Sequence, residues 1–554
     1  MHQDRDHDHA DAADSAEATT PLHERTATEL AQQLRAGELS SVALTAHLLE
    51  RIAARNEAAR AFLTLTPERA LERATWADAE LARDAEAARA DSGIARGRGV
   101  DVGAALRRRR PLLGLPFGDK DLTDRAGVAS SYGSRAMAGF VPEVSARLAL
   151  DLDAAGGVSL GKTNTPEFGF PCYTENGLGA PARNPWDPER GPGGSSGGAA
   201  VAVAARLLPL APGSDGGGSV RIPAAACGLV GLKPSRGRVP GGSGVDALAG
   251  LPVAGPLART TADAALLLDA MLVTADDWPH TLSVSRTGGT APARSYAEDL
   301  AMRAFEWPPD AAGGLERLRV GVSTWSPWAE RYDLAVEDAQ LRALEATAGE
   351  LEAAGHEVVR LPGGIADSSA HGVRAFDATR EGVVDGTGFA SAFRAVWRGG
   401  AAALPLDGPR LELVEPLTSW LVRTGRDLPV AELSRGIAYL ADFERRVIAA
   451  YRGFDAVLTP ALAMSPRKIG WFDPDDGEHN FAQQVQYTPF TSYVNATGLP
   501  AITMPVMSEA APDGTRLPVG VQAIGRPGRE DVLLRLSAWL EARRAWGARR
   551  PPID

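Results

Sequence analysis

From Thr26 onward the apolar positions recur at helical spacing: Leu30 and Leu34 stand four apart, and after Ser40 the residues Leu44, Leu48 and Ile52 share one face. An Ala-rich, charged third helix is predicted over 67–90, followed by a surface insertion over 91–111 that contains Gly, Asp and an Arg run. Between about 112 and 260 the pattern changes. Short apolar segments such as Val158-Ser159-Leu160 and Leu229-Val230-Gly231-Leu232 alternate with glycine-rich turns and helical stretches such as Ala199–Leu208, the alternation of an α/β fold. Thr260–Leu272 reads as a Thr-capped helix, Leu318–Val322 as a strand, 335–354 as a long helix and 357–361 as a second strand. Residues 370–450 are mostly helical and polar, a cover over part of the sheet. Strands return at Ala456–Leu458, Ala501–Met504 and Val519–Ile524, and a helix from Glu530 closes the chain. With no internal repeat and no linker, one α/β domain over 26–554 is expected, behind a disordered polar tail at 1–25.

Composition narrows the function. Hydrophobic residues at 44% and charged residues at 23% are ordinary for a soluble globular protein. No apolar run approaches the roughly 20 residues that span a membrane, and no secretory leader pattern opens the chain, so a cytoplasmic protein without a membrane partner is expected. Cys172 and Cys227 supply neither a disulfide framework nor a C-x-x-C pair, and no metal site or cofactor is expected. A net charge of −12 argues against nucleic acid as a partner, and Arg107 to Arg110, with no interleaved aromatic residues, reads as a solvated loop. Only four of the 58 basic residues are lysine: Lys120, Lys162, Lys233 and Lys468. In so arginine-rich a chain, a retained lysine marks a position that needs what arginine cannot do, namely give up its proton at accessible cost.

Three short patterns match well-known sites and fail on context. Gly156–Thr163 fits the phosphate-cradling G-x-x-x-x-G-K-T, but that loop needs a strand before it and a helix after it; here a helix-like segment precedes, and Pro166 interrupts any helix growing from Lys162. Ser159 and Lys162 fit S-x-x-K, yet in a strand they point to opposite faces. Gly193–Gly197 fits the G-x-S-x-G nucleophile elbow, which needs a downstream histidine; His280, His356, His371 and His479 all read as surface or loop residues.

One constellation holds together. Gly193-Gly194-Ser195-Ser196-Gly197-Gly198 is followed by Gly216-Gly217-Gly218-Ser219, and consecutive backbone N–H groups without side chains can converge on one oxyanion. A serine ending such a run can attack the adjacent carbonyl carbon, provided a base removes its proton. With histidine poorly placed, lysine is the next candidate, and Lys120 stands in Gly114-Leu115-Pro116-Phe117-Gly118-Asp119-Lys120-Asp121. To act near neutrality its pKa must fall by about 3 from roughly 10.4, about 4 kcal/mol, which burial can supply. Asp119 and Asp121 would oppose that fall if they touched the ammonium, although neighbours in an extended segment project to opposite faces.

These blocks, with Leu160-Gly161-Lys162-Thr163-Asn164, Glu167-Phe168, Asn184-Pro185, Ser214–Ala224 and Cys227–Pro234, closely resemble the amidase signature family, which includes fatty-acid amide hydrolases, peptide amidases and the A-type component of amidotransferases. Their order and spacing over 112–260 are specific; weaker similarity covers about 26–550, including Asn495–Ala501, where the family places a strand and part of the acyl pocket. The resemblance implies an α/β amidase-signature fold, a central mixed twisted sheet covered by helices on both faces. It implies hydrolysis of a carboxamide C–N bond in a small molecule through an acyl-enzyme. Ser219 would be the nucleophile, Ser195 the bridging serine after a cis peptide bond, and Lys120 the base. Gly216, Gly217, Gly218 and Ser219 would donate oxyanion N–H groups; Ser196 would support the lysine, and Asp215 and Arg221 the glycine loop. Lys162 and Lys233 are expected to be structural.

Two departures bear on the site. Asp119 replaces a usually apolar residue, and Gly216 stands where many members carry Thr or Ile, which implies a looser oxyanion loop. Ile222 stands where the A-type component of tRNA-dependent amidotransferases has Gln, and residues 484–550 look most like 6-aminohexanoate-cyclic-dimer hydrolases and general bacterial amidases. A non-catalytic binding protein and the A-type component of a tRNA-dependent amidotransferase stay as alternatives. The choice of amide and the oligomeric state, a homodimer included, stay open.

Overall fold

In the computed structural model the described residues are 20–94, 102–240, 248–273, 295–303, 317–365, 382, 384–510 and 514–552. Thr26 starts the first helix, Ala27–Ala36, with a capping box in which its hydroxyl accepts from the Glu29 N–H and Glu29 accepts from the Thr26 N–H. Ser40 caps Ser41–Ala59 in the same position, and Leu30, Leu34, Leu44, Leu48 and Ile52 are all buried. Each such side chain contributes roughly 1.5–3 kcal/mol by leaving water. The second helix packs with Pro67–Ile94 against a small sheet.

That sheet holds β1 (Phe62–Leu65), β2 (Pro116–Lys120) and β3 (Val158–Thr163) in the order β1-β3-β2. β3 runs antiparallel to β1 and parallel to β2, the parallel connection passing through helix Arg147–Ala154, and Lys120 pairs with Thr163 at the strand ends. The larger sheet contains β4 (Leu210–Asp215), β5 (Val230–Lys233), β6 (Val253–Ala258), β7 (Arg319–Val322), β8 (Glu357–Arg360), β9 (Ala456–Pro460), β10 (Ala501–Ala510) and β11 (Arg516–Gly525). Their spatial order is β4-β6-β5-β10-β11-β9-β7-β8, parallel at β9-β7-β8 and antiparallel elsewhere. The α/β mixed-sheet fold is as expected. The strand that ends at Lys120 belongs to the separate three-stranded sheet.

β2, β4 and β6 escape a reading by alternation because nearly every residue in them is buried, so no polar face marks the period. Pro116, Gly118, Pro212, Gly213, Gly255 and Pro256 further depress the local strand preference.

Other expectations need correction. Residues 1–19 lie outside the described residues, but Leu22–Glu24 forms a 3-10 turn whose Glu24 pairs with Arg206 at 2.8 Å, so the tail boundary at residue 25 is too late. The 91–111 insertion is partly helical: the third helix extends to Ile94 and another spans Val102–Arg109, with 95–101 outside the described residues. The Arg run is solvated, with Arg107, Arg108 and Arg109 exposed, but it closes a helix rather than forming a loop. Arg108 pairs with Glu298, and Arg110 with Glu80 and Asp84. His356 is buried and accepts from the Leu318 N–H at 3.2 Å, whereas His479 is exposed beside Asp473; His280 and His371 lie outside the described residues.

The helical cover consists of Phe389–Ala402, Gly408–Leu411, Pro416–Arg426 and Val430–Tyr451, with 366–381 and 383 outside the described residues. Its inward residues Phe389, Phe393, Val396, Phe443 and Val447 join a core with Val457 and Ile524 of the large sheet. Among the described residues, no helix is long and apolar enough to cross a membrane.

Candidate active site

Strand ends deliver the site. Lys120 finishes β2 and Asp215 finishes β4, while the two glycine-serine segments lead as turns into helices Gly197–Ala204 and Arg221–Cys227. The Lys120 side chain is buried at 2% exposure, and its Nζ donates to Ser195 Oγ at 2.8 Å and Ser214 Oγ at 2.9 Å. Burial pulls its pKa down from 10.5 to about 7, against an upward pull from Asp215.

Neither flanking aspartate reaches the amine. Asp119 turns to the other face of β2, where it accepts from Arg125 Nε at 2.7 Å and Ser159 Oγ at 2.6 Å. Asp121 accepts from the Ser131 N–H and stands 3.8 Å from Lys162 Nζ. The departure at position 119 therefore leaves Lys120 to its hydroxyl partners.

The Gly194–Ser195 peptide bond is cis. Gly194 has no alternative: a Cβ there would stand 2.6 Å from the Tyr173 carbonyl oxygen. The Ser196 N–H donates to the Ser219 carbonyl at 3.2 Å, tying the two serine segments together. Ser196 Oγ sits 3.3 Å from both the N and O of Ser214, so it meets the lysine only through that residue.

Asp215 and Arg221 brace the glycine loop as an ion pair with no exposure. The Asp215 carboxylate accepts from Arg221 Nε and Nη2 at 3.0 and 2.8 Å, from the Gly218 N–H at 2.8 Å and from the Val220 N–H at 3.1 Å. Burial pushes this carboxyl up, but Arg221, assisted by Lys233 and Asn495, outweighs it and holds the pKa at about 2. The remaining Arg221 donors reach Gln522, Thr491 and Asn495. Thr491 Oγ1 in turn donates to the Gly217 carbonyl at 2.7 Å.

This bracing engages one of the N–H groups that the resemblance offers to an oxyanion. The Gly218 N–H is already spent on Asp215, and at φ 128 no residue with a side chain is accommodated there. Among the described residues, no hydrogen bond engages the N–H groups of Gly216, Gly217 or Ser219. Ser219 itself is 8% exposed and lines, with Gly217, a pocket whose empty space, open solvent included, is about 470 Å³.

Lys162 Nζ donates to the Thr123 carbonyl and to Ser130 Oγ, and Lys233 Nζ to the Pro234 carbonyl at 2.9 Å, so both work inside the scaffold. Ser214, Thr491 and Gln522 were missed by reasoning from the sequence, and Asn495 was given no part in bracing the loop. Ser214 adjoins Asp215 at a strand end, which was the available signal. The others lie about 270 to 310 residues from the loop they hold, and nothing local marks them.

The model for the Amidase family matches residues 43–534. A Mycobacterium bovis protein, "Putative amidase AmiB2", is 35% identical over 470 residues, 84% of this chain and 88% of that protein. The A-type component of the glutamyl-tRNA(Gln) amidotransferase of Coxiella burnetii is 42% identical over 250 residues, 45% of this chain and 47% of that one. Among solved structures, 6-aminohexanoate cyclic dimer hydrolase superposes with a TM-score of 0.73 at 28% identity, covering 97% of this chain and 100% of the other. The peptide amidase PAM bound to chymostatin superposes with a TM-score of 0.69 at 28% identity, covering 96% and 100%. The chain belongs to the Amidase family and is an amide-hydrolysing enzyme.

Proposed function

We propose that the chain hydrolyses a small-molecule carboxamide through a Ser219 acyl-enzyme, with Lys120 as base and Ser195 as relay. The observation that carries this reading is the 2.8 Å hydrogen bond from a buried Lys120 to Ser195 Oγ, because burial holds that amine at about 7 and lets it accept a proton near neutrality. In the first step Ser219 Oγ bonds to the amide carbon while its proton passes to Ser195 and the Ser195 proton to Lys120. The carbonyl π pair moves onto oxygen, facing the N–H groups of Gly216, Gly217 and Ser219. The C–N bond then breaks as Ser195 protonates the departing nitrogen and recovers a proton from Lys120. Water attacks the ester by the same relay, releasing carboxylate and regenerating Ser219. No cofactor enters these steps.

A fluorophosphonate probe combined with mass spectrometry of the labelled peptide tests the assignment. Phosphonylation at Ser219 is expected; modification at another serine with Ser219 untouched overturns it.

The similarity to an amidotransferase component favours a second reading over the matched half, as an ammonia-supplying member of an assembly. Ile222 in place of that component's Gln speaks against it. Amine or ammonia release by the purified chain alone, without tRNA or other subunits, would decide for the free-standing amidase.

A further inference from the structure

The cavity beside Ser219 has an unusual wall. Five aromatic rings line it in a connected chain: Phe170 meets Trp397 edge-on at 5.8 Å, Trp397 stacks on Phe393 at 5.4 Å, and Trp328 meets Phe393 at 5.4 Å and Phe481 at 6.0 Å. No charged side chain lines the cavity among the described residues. Arg394, which is not among the lining residues, stands 5.1 Å from the centre of the Phe481 ring and pairs with Glu478.

Away from Ser219, the side chains of Gln484, Ser492 and Thr488 in the lining each make a hydrogen bond within the protein. Gln484 Oε1 accepts from the Cys172 N–H at 3.0 Å and its Nε2 donates to Asn480 at 2.7 Å. Ser492 Oγ accepts from Trp328 Nε1 at 2.8 Å, and Thr488 Oγ1 donates to the Gln484 carbonyl at 2.9 Å. An ionised group entering here would lose its water without gaining a counter-charge.

Trp397 joins this wall to the reacting centre. A Cβ built on Gly216 would stand 3.6 Å from the Trp397 ring, and one on Gly217 3.9 Å. The indole thus borders the space that the absence of a Gly216 side chain leaves open. A group attached to a carbonyl held over that loop would have the indole as a neighbour.

We propose that this cavity receives an uncharged, flat apolar group of the amide substrate, aryl or arylalkyl, and that Trp397 is the residue that selects it. The proposal rests on Ser219 as the reacting residue but concerns recognition. Ring-on-ring contact favours a planar occupant over an alkyl chain of equal area, and a lining without a cationic side chain disfavours carboxylates.

Binding can be read without turnover in the Ser219→Ala chain by isothermal titration calorimetry with 3-phenylpropanamide, hexanamide and succinamate. Affinity for 3-phenylpropanamide should exceed that for succinamate by about tenfold or more and should also exceed that for hexanamide. A further Trp397→Ala change should abolish the preference over hexanamide while leaving a preference over succinamate, and Trp397→Phe should keep most of the former. Equal affinity for the three ligands, no binding of 3-phenylpropanamide, or a preference over hexanamide unchanged in Trp397→Ala overturns the proposal. Selective binding of the aryl amide together with failure of the unmodified chain to hydrolyse any amide would refute the catalytic reading and leave the recognition claim standing.

Discussion

The acid limb of the pH–rate profile offers the most direct reading of Lys120. Its pKa is held at about 7 instead of 10.5, a difference of about 5 kcal/mol in the cost of keeping the ammonium in its buried site. About half of the lysines are then neutral at pH 7, about a tenth at pH 6 and about a hundredth at pH 5. Since only the neutral amine can accept the relayed proton, kcat/KM should fall about tenfold per pH step below 7 and level off above 8. The assay is amine release from a neutral amide between pH 5 and 9 at constant ionic strength. Lys120→Arg should remove the activity at every pH, because guanidinium stays protonated. Folding gives an independent check of sign. The folded chain binds this proton less tightly than the unfolded one, so the stability penalty is full below about 7 and is relieved as pH rises toward 10.5. In chemical denaturation, the stability of Lys120→Met relative to the unmodified chain should therefore be greatest at pH 6 and decline toward pH 10. A rate profile flat down to pH 5, or wild-type-like turnover by Lys120→Arg, refutes the lysine base.

Three more perturbations probe the same geometry. Ser214→Ala removes the second hydroxyl held by Lys120 at 2.9 Å and should slow turnover roughly tenfold, about 1.4 kcal/mol, with Ser214→Thr restoring part of the rate in a steady-state assay. Arg221→Ala leaves the buried Asp215 carboxylate without its cation and should cost about 3–5 kcal/mol in urea unfolding, with loss of activity as the glycine loop loses its brace. Gly218→Ala sets a Cβ against Thr491 and Ile222 at φ 128 and should cost about 1–3 kcal/mol in thermal unfolding, whereas Gly470→Ala, at φ 78 with open space around it, should cost less.

How far the chain could be read depends on the range over which each feature is encoded. The helix starts at Thr26, Ser40 and Thr260 were legible because capping and apolar spacing act within a few residues. Short apolar runs made β3, β5 and β9 legible although they too are wholly buried, whereas Pro and Gly within β4 and β6 hid those strands. Position 119 is instructive: the period of a strand suggested that Asp119 could avoid Lys120, but only the fold supplies Arg125 and Ser159 to hold it away.

By itself the sequence determined the kinds of chemistry on offer: a retained lysine, two serines in glycine runs at a family-specific spacing, and an acid and an arginine flanking the second run. The tertiary structure decided which of these groups meet. It brought Ser214 to Lys120, spent the Gly218 N–H on Asp215, and tied that carboxylate to Asn495 and, through Arg221, to Gln522. It also set the rings of Phe170, Trp328, Phe393, Trp397 and Phe481 around one cavity. Covalent neighbours and local spacing constrain a residue's backbone; the water removed from an amine and the partners offered to a carboxylate are set by segments hundreds of residues away.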